Sequence, residues 1–180
     1  MRLPRPRPRS RRLPDRAAAV DSDPLGTLEP ETRLRHALDL AYRHLAKRDR
    51  TVVEVRRHLA ARGVGEAMVV QAVQVLEGEG YLDDARYARR FAEDRRRLDS
   101  WGAERIEQRL LAVGVAPELV AAAVDEQPAG AELEAAVELL RRRFPEPPAD
   151  DRERNRALGL LVRRGYDLEL AHDAVRALSR

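Results

Sequence analysis

The sequence predicts an all-α protein built from three tandem three-helix repeats, a solenoid-like array that is elongated and curved. Three observations carry this. Apolar residues recur at spacings of three and four through most of the chain, the mark of helices with one buried stripe. No segment carries a strand signal. Most telling, Gly63, Gly114 and Gly165 stand 51 residues apart inside one recurring frame. Leu59, Leu110 and Leu161 lie four residues before them, and Val73, Val124 and Val175 ten after. Val69, Val120 and Ala171 match as well, as do Ala72, Ala123 and Ala174. Internal repetition of this length points to stacked helical units. A unit of about 50 residues buries too little surface to stand alone, so each leans on its neighbours and the array exposes a long binding surface.

Residues 1–30 are rich in proline and arginine without periodicity and are expected to be a disordered tail. The three repeats are expected over 31–80, 81–128 and 129–180. In the first, Leu34, Ala37, Leu38, Ala41, Tyr42 and Leu45 form one stripe from Glu31 onward, ending near Lys47 to Asp49. Thr51 with Glu54 makes a capping box for a second helix carrying Val52, Val55, Leu59 and Ala60, which Gly63 stops. Gly65 and Glu66 open a third, with Val69, Ala72, Val73 and Leu76, running to Gly78. Gly80 suits a position just past a helix end, where glycine takes positive φ at no cost. Asp83 and Asp84 are acidic N-cap candidates. With Asp83 as N-cap, Leu82 and Tyr87 are placed as the two ends of a hydrophobic staple.

In the second repeat Tyr87, Ala88, Phe91 and Leu98 form the apolar stripe of its first helix, with Arg86, Arg89, Arg90, Arg96 and Arg97 on the other faces. Arg95 lies four residues after Phe91, at the stripe's edge, where its stem is expected to be partly covered and its head to need a partner. Ile106, Leu110 and Leu111 mark the next helix, and Pro117 suits the first turn of the one after it. The third repeat opens near Ala131 with Leu133, Ala136, Val137 and Leu140. A stiff proline-rich linker, Phe144 to Asp150, puts its first helix out of the 51-residue register. Two helices follow, the last ending at Leu178.

The chain is 43% apolar, enough for a real core, and lacks cysteine, so disulfides and thiolate metal sites are excluded, as suits a reducing compartment. No apolar run reaches the roughly 18 residues a membrane span needs. A cytoplasmic protein, not bound to membrane, is expected. The net charge of +3 hides an asymmetry. Of 34 basic and 31 acidic side chains, Arg2, Arg5, Arg7, Arg9, Arg11, Arg12 and Arg16 stand against Asp15 alone in the first 16 residues. The rest holds 27 basic and 30 acidic groups, a net of −3. The high pI therefore describes the tail, which suits phosphate neutralisation or simple solubilisation.

No catalytic residue, metal site or cofactor is expected. His36, His44, His58 and His172 have no ligand spacing, and Gly63-Val64-Gly65 joins two helices rather than cradling a phosphate. Asp83-Asp84 are explained as helix-opening acids that satisfy backbone amides and the dipole. The arginine clusters Arg56-Arg57, Arg89-Arg90, Arg95 to Arg97, Arg141 to Arg143 and Arg163-Arg164 read equally as solvated faces or as one lined surface.

The stretch from Gly80 to Arg95 resembles the core motif of the RecX family, regulators of the bacterial recombinase RecA. Gly80, Tyr81, Leu82, Asp84, Tyr87, Ala88, Phe91 and Arg95 carry the resemblance, and it extends over about residues 34–178, including Arg50-Thr51, Glu54, Leu59, Gly102, Ile106, Leu110 and Gly114-Val115. The resemblance implies tandem three-helix repeats, no enzymatic activity, and binding in the groove of the RecA–DNA filament, which restrains recombinase and ATPase action. Gly80, Tyr81, Leu82, Asp84, Tyr87 and Phe91 are then mainly structural. Contact with the filament is expected from Arg86, Arg89, Arg90, Arg95, Arg96 and Arg97, with DNA touched indirectly or weakly and the chain acting as a monomer. The competing reading is a helical module that binds DNA directly through arginine-rich faces. The net acidic body and the supply of only four tyrosines, two phenylalanines and one tryptophan weigh against it.

Overall fold

The computed structural model describes residues 29–178, which form nine helices and no strand. The Pro/Arg tail lies almost wholly outside the described residues. In chain order the helices are α1 (Pro30–Leu45), α2 (Val52–Ala60), α3 (Glu66–Gly78), α4 (Asp84–Asp99), α5 (Ala103–Ala112), α6 (Pro117–Asp125), α7 (Ala131–Arg143), α8 (Asp151–Arg164) and α9 (Leu168–Leu178). Every substantially packed helix pair lies within one triplet: α1–α3, α4–α6 or α7–α9. Three separate apolar cores result, one per triplet.

The 51-residue frame sets this geometry. Gly63, Gly114 and Gly165 adopt φ of +77°, +89° and +85°, the left-handed region glycine enters without strain. At each, the chain leaves the middle helix through the same bonds. The amides of Val64, Val115 and Tyr166 donate to the carbonyls of Leu59, Leu110 and Leu161, all at 3.2 Å, and the glycine amides donate three residues back at 2.9 to 3.0 Å. This six-to-one bond is the Schellman closure of a helix C-terminus. It folds the residue after the glycine inward, so Val64, Val115 and Tyr166 are buried beside the fully buried Leu59, Leu110 and Leu161. Burial pushes the Tyr166 hydroxyl up to about 12.

The caps expected at Thr51 and Asp83 are made, and a further one stands at Asp150. Thr51 and Glu54 make both bonds of a capping box, Asp83 accepts from the Arg86 amide at 2.8 Å, and Asp150 accepts from the Glu153 amide at 2.8 Å. Two expectations fail here, the place of Leu98 in the stripe and the staple of Leu82 with Tyr87. Leu98 is 63% exposed, because the face of α4 that meets α6 is made by Ala88 and Ala92, both fully buried. Two alanines let those helix backbones approach closely, and Phe91 and Tyr87 flank that contact half-buried. Leu82 does not join Tyr87: it is buried in the first core, whereas Tyr87 packs on the second.

Two junctions hold the triplets together, and they are built alike. At the first, the Val52 amide donates to Asp84 Oδ1 at 3.0 Å, the fully buried Thr51 donates through Oγ1 to the Val113 carbonyl at 2.7 Å, and Val53 sits over Gly114. At the second, every position has moved by 51 residues on the donor side. The Ala103 amide donates to Glu132 Oε1 at 2.7 Å, the Gly102 amide donates to the Arg164 carbonyl at 2.9 Å, and Gly102 and Arg105 sit against Gly165. The N-terminus of each middle helix thus docks on the glycine turn of the next unit. An acid opening that unit's first helix takes one of its orphan amides.

A candidate partner-binding groove along α4

The residues of the Gly80–Arg97 stretch divide by what they touch. Gly80 has φ +74° and its carbonyl accepts from Arg86 Nη2 at 2.6 Å, while Arg86 also approaches Asp83 at 3.8 Å. Tyr81 is exposed and meets Tyr42 edge-on, with ring centroids 5.2 Å apart; the Tyr42 hydroxyl donates to Glu79, which pushes its pKa up to about 12. Asp84 serves the first junction. Its carboxyl is pushed up by burial and drawn back by the Val52 amide. Phe91 lies between Tyr87, at 6.2 Å, and the edge of Trp101, at 6.2 Å. Arg95 finds its partner in Asp99, with Nη1 to Oδ2 at 2.5 Å, and its guanidinium faces the rings of Phe91 at 5.4 Å and Trp101 at 5.8 Å.

Arg96 was expected on a solvent face, and it is not there. It is half-buried and reaches across to α6, donating from Nη2 to the Val124 carbonyl at 2.6 Å and from Nη1 to the Ala123 carbonyl at 3.4 Å. Those carbonyls end α6, which has no intrahelical donors left for them. Burial lowers the Arg96 pKa, with Glu132 and Glu126 acting the other way. Three consecutive arginines carry no mark of which one turns inward; only the C-terminus of α6 decides it.

Arg89, Arg90 and Arg97 are exposed. Arg90 approaches Asp49 and Arg97 approaches Asp94, each at 3.3 Å and each with wet side chains, so both pairs are weak and replaceable by a partner's anion. Together with Arg96, Glu93, Ala123, Glu126 and Gln127 these three arginines line a groove of about 690 Å³ between α4 and the end of α6. The groove continues. Arg90 also borders a small cleft of about 130 Å³ with Arg50, Arg86 and Tyr87, and Asp49 and Tyr81 connect that cleft to a hollow of about 400 Å³ bounded by Tyr42, Leu45 and Ala46. A trench of three adjoining hollows therefore leads from an aromatic end beside α1 to an arginine end on α4, with Asp49, Asp83, Glu93 and Glu126 along its walls. It can bind an extended anionic partner with an apolar anchor. The sequence reading missed the aromatic end, since Tyr42 fits the helical stripe and only the fold brings it to Tyr81.

Among the described residues no group of three or more histidine, aspartate or glutamate side chains is placed to hold a metal, and no helix is long and apolar enough to cross a membrane.

Comparison with known proteins agrees with this architecture unit by unit. Family models for the first, second and third three-helix domains of RecX match residues 37–76, 83–124 and 131–175. The Regulatory protein RecX of Trichlorobacter lovleyi is 41% identical over 134 residues, 72% of this chain and 87% of that protein. The Regulatory protein RecX of Leptothrix cholodnii is 35% identical over 136 residues, 76% of this chain and 85% of that protein. In fold, the crystal structure of RecX from Lactobacillus salivarius superposes with a TM-score of 0.74 at 17% identity, covering 83% of this chain and 98% of the other. With three consecutive domain models and relatives of this identity spanning most of its length, the chain belongs to the RecX family of regulatory proteins.

Proposed function

We propose that the chain restrains RecA by lying along the groove of the RecA–DNA filament, gripping it through the exposed arginines of α4. It does so without chemistry of its own and without a cofactor, as a monomer in the cytoplasm. The trench on the middle unit carries this reading: Arg89, Arg90 and Arg97 are held only by wet ion pairs or none that fix them, on the one unit that stays engaged whichever end of the array attaches. A RecA filament on DNA presents phosphates and carboxylates along its groove. Each charge-assisted contact contributes about 1.5 to 3 kcal/mol when partly desolvated and far less when wet. Arg86, Arg95 and Arg96 belong to the fold's own bonding and orient the surface rather than grip.

The test is the triple variant Arg89→Glu/Arg90→Glu/Arg97→Glu in a RecA ATPase assay on single-stranded DNA. Suppression of ATPase is expected to be lost, with circular dichroism unchanged and stability within about 0.5 kcal/mol of wild type. Suppression at the wild-type concentration by a folded triple variant would move the grip to the first or third unit.

A further inference from the structure

A second arginine surface lies away from the α4 trench, on α5 and the end of α8, and the proposed grip does not use it. Its centre is Trp101, the protein's single tryptophan, half-buried at the second junction. The Arg105 guanidinium stacks over the indole at 4.3 Å and is fixed there by a bond from Nη1 to the Arg163 carbonyl at 2.9 Å. A depression of about 470 Å³ opens beside them, lined by Trp101, Arg105, Gln108, Arg109 and Ala112, with no carboxylate. Arg105 and Gln108 also line an adjoining depression of about 270 Å³ with Val162, Arg163, Gly165 and one acid, Glu104.

From this juxtaposition of a fixed guanidinium–indole stack with Arg109 and Arg163 we infer that the α5–α8 surface is a direct binding site for single-stranded nucleic acid. The chemistry divides naturally. An unpaired base stacks on an indole or on the flat face of a guanidinium, and every base has such a face, so the contact is indifferent to sequence. Flanking guanidiniums meet the phosphodiester oxygens. A duplex offers phosphates but keeps its bases stacked on each other, so the aromatic half of the site selects for single strands. An acidic peptide would pair with the guanidiniums but has no base to lay on the outer face of the Arg105–Trp101 stack.

Because Trp101 is the single tryptophan, intrinsic emission reports on this site alone. The experiment titrates the full-length protein with an oligothymidylate, following tryptophan emission and oligonucleotide anisotropy together across salt concentrations. The expected result is quenching that tracks binding. Each strand phosphate neutralised contributes about 0.7 to the slope of log affinity against log salt. Arg109→Gln/Arg163→Gln is therefore expected to reduce that slope by about 1.4 and to weaken binding, leaving the contribution of the N-terminal arginines, common to both proteins, unchanged. Trp101→Phe is expected to retain affinity better than Trp101→Ala. If circular dichroism shows the double variant perturbed at the junction, Arg109→Gln alone decides, with an expected slope change of about 0.7. The inference is overturned if the strand binds without quenching, if the folded variant binds with the wild-type slope, or if a duplex or polyglutamate quenches equally. In the α4 triple variant the quenching is expected to persist, which separates failure of this site from failure of the proposed grip.

Discussion

The two junctions of the array use the same positions and differ in what fills them. At the first, a side chain spans the gap: Thr51 reaches the Val113 carbonyl through its hydroxyl, and Val53 covers Gly114 with its Cβ and both methyls, 2.6 to 2.8 Å from where a Cβ would stand. At the second, backbone meets backbone. The Gly102 and Glu104 amides bond directly to the Arg164 and Gly165 carbonyls at 2.9 and 3.0 Å, and a Cβ on either glycine would collide with main-chain atoms across the interface. Arg164 then donates to the Asp99 carbonyl and Arg142 to Ser100 Oγ at 3.1 Å. One junction has a compressible spacer and the other has none. The second should therefore be the stiffer and the less forgiving of substitution.

The strongest way to break that comparison is Gly165→Ala. The substitution forces alanine to φ +85° and drives its methyl into Arg105, so left-handed strain of about 1 to 2 kcal/mol adds to overpacking of about 1 to 3. A loss of roughly 3 kcal/mol or more is expected in urea unfolding; a loss below 1 would mean the second junction yields as readily as the first. Thr51→Val is the matching test on the first junction. It removes both the cap on α2 and the donor to Val113, with about 2 kcal/mol expected.

Phe91→Ala probes the interior between the two junctions. A fully buried phenylalanine would cost about 3 to 5 kcal/mol, but Phe91 is half-buried with Arg95 over its face, so about 2 is expected. Acid is the mildest probe and falls on the first unit alone. His44 and His58 stack at 3.6 Å between α1 and α2, and His44 is pushed down to about 4 by burial and then by the neighbouring His58. At pH 7 the folded imidazole is neutral and the unfolded one mostly so. Between pH 6.5 and 4 the unfolded chain takes a proton that the folded one refuses, so stability falls as pH falls, by about 1 kcal/mol at pH 5 after allowance for solvent screening. Urea unfolding at pH 7 and 5 should show this dependence, and His44→Gln should flatten it.

These contrasts explain what sequence can and cannot convey here. The glycine period, the buried leucines and the caps are local: each is written within one helix and its turn, and each is where the spacing placed it. The junctions are not local. Asp84 and Glu132 do the same work for Val52 and Ala103, yet they stand 48 residues apart, off the period of 51, because α6 has 9 residues where α3 has 13. Arg96 and Leu98 were misplaced for a related reason. Helical periodicity in a run as charged as Asp94 to Asp99 locates a stripe poorly, and of the two alanines that define the true buried face the stripe held Ala88 but not Ala92. The α4 trench was half legible: its arginines stand in the sequence, while Tyr42 joins them through the fold.

The closure of each core within its own triplet has a mechanical consequence. Between units the structure places a few hydrogen bonds and the packing of Val53 on Gly114 and Arg105 on Gly165, while every apolar core is closed within one unit. Movement at Asp84 and Glu132 therefore leaves every core intact. The array behaves as a jointed rule, with one joint sprung by a threonine and a valine and the other nearly locked.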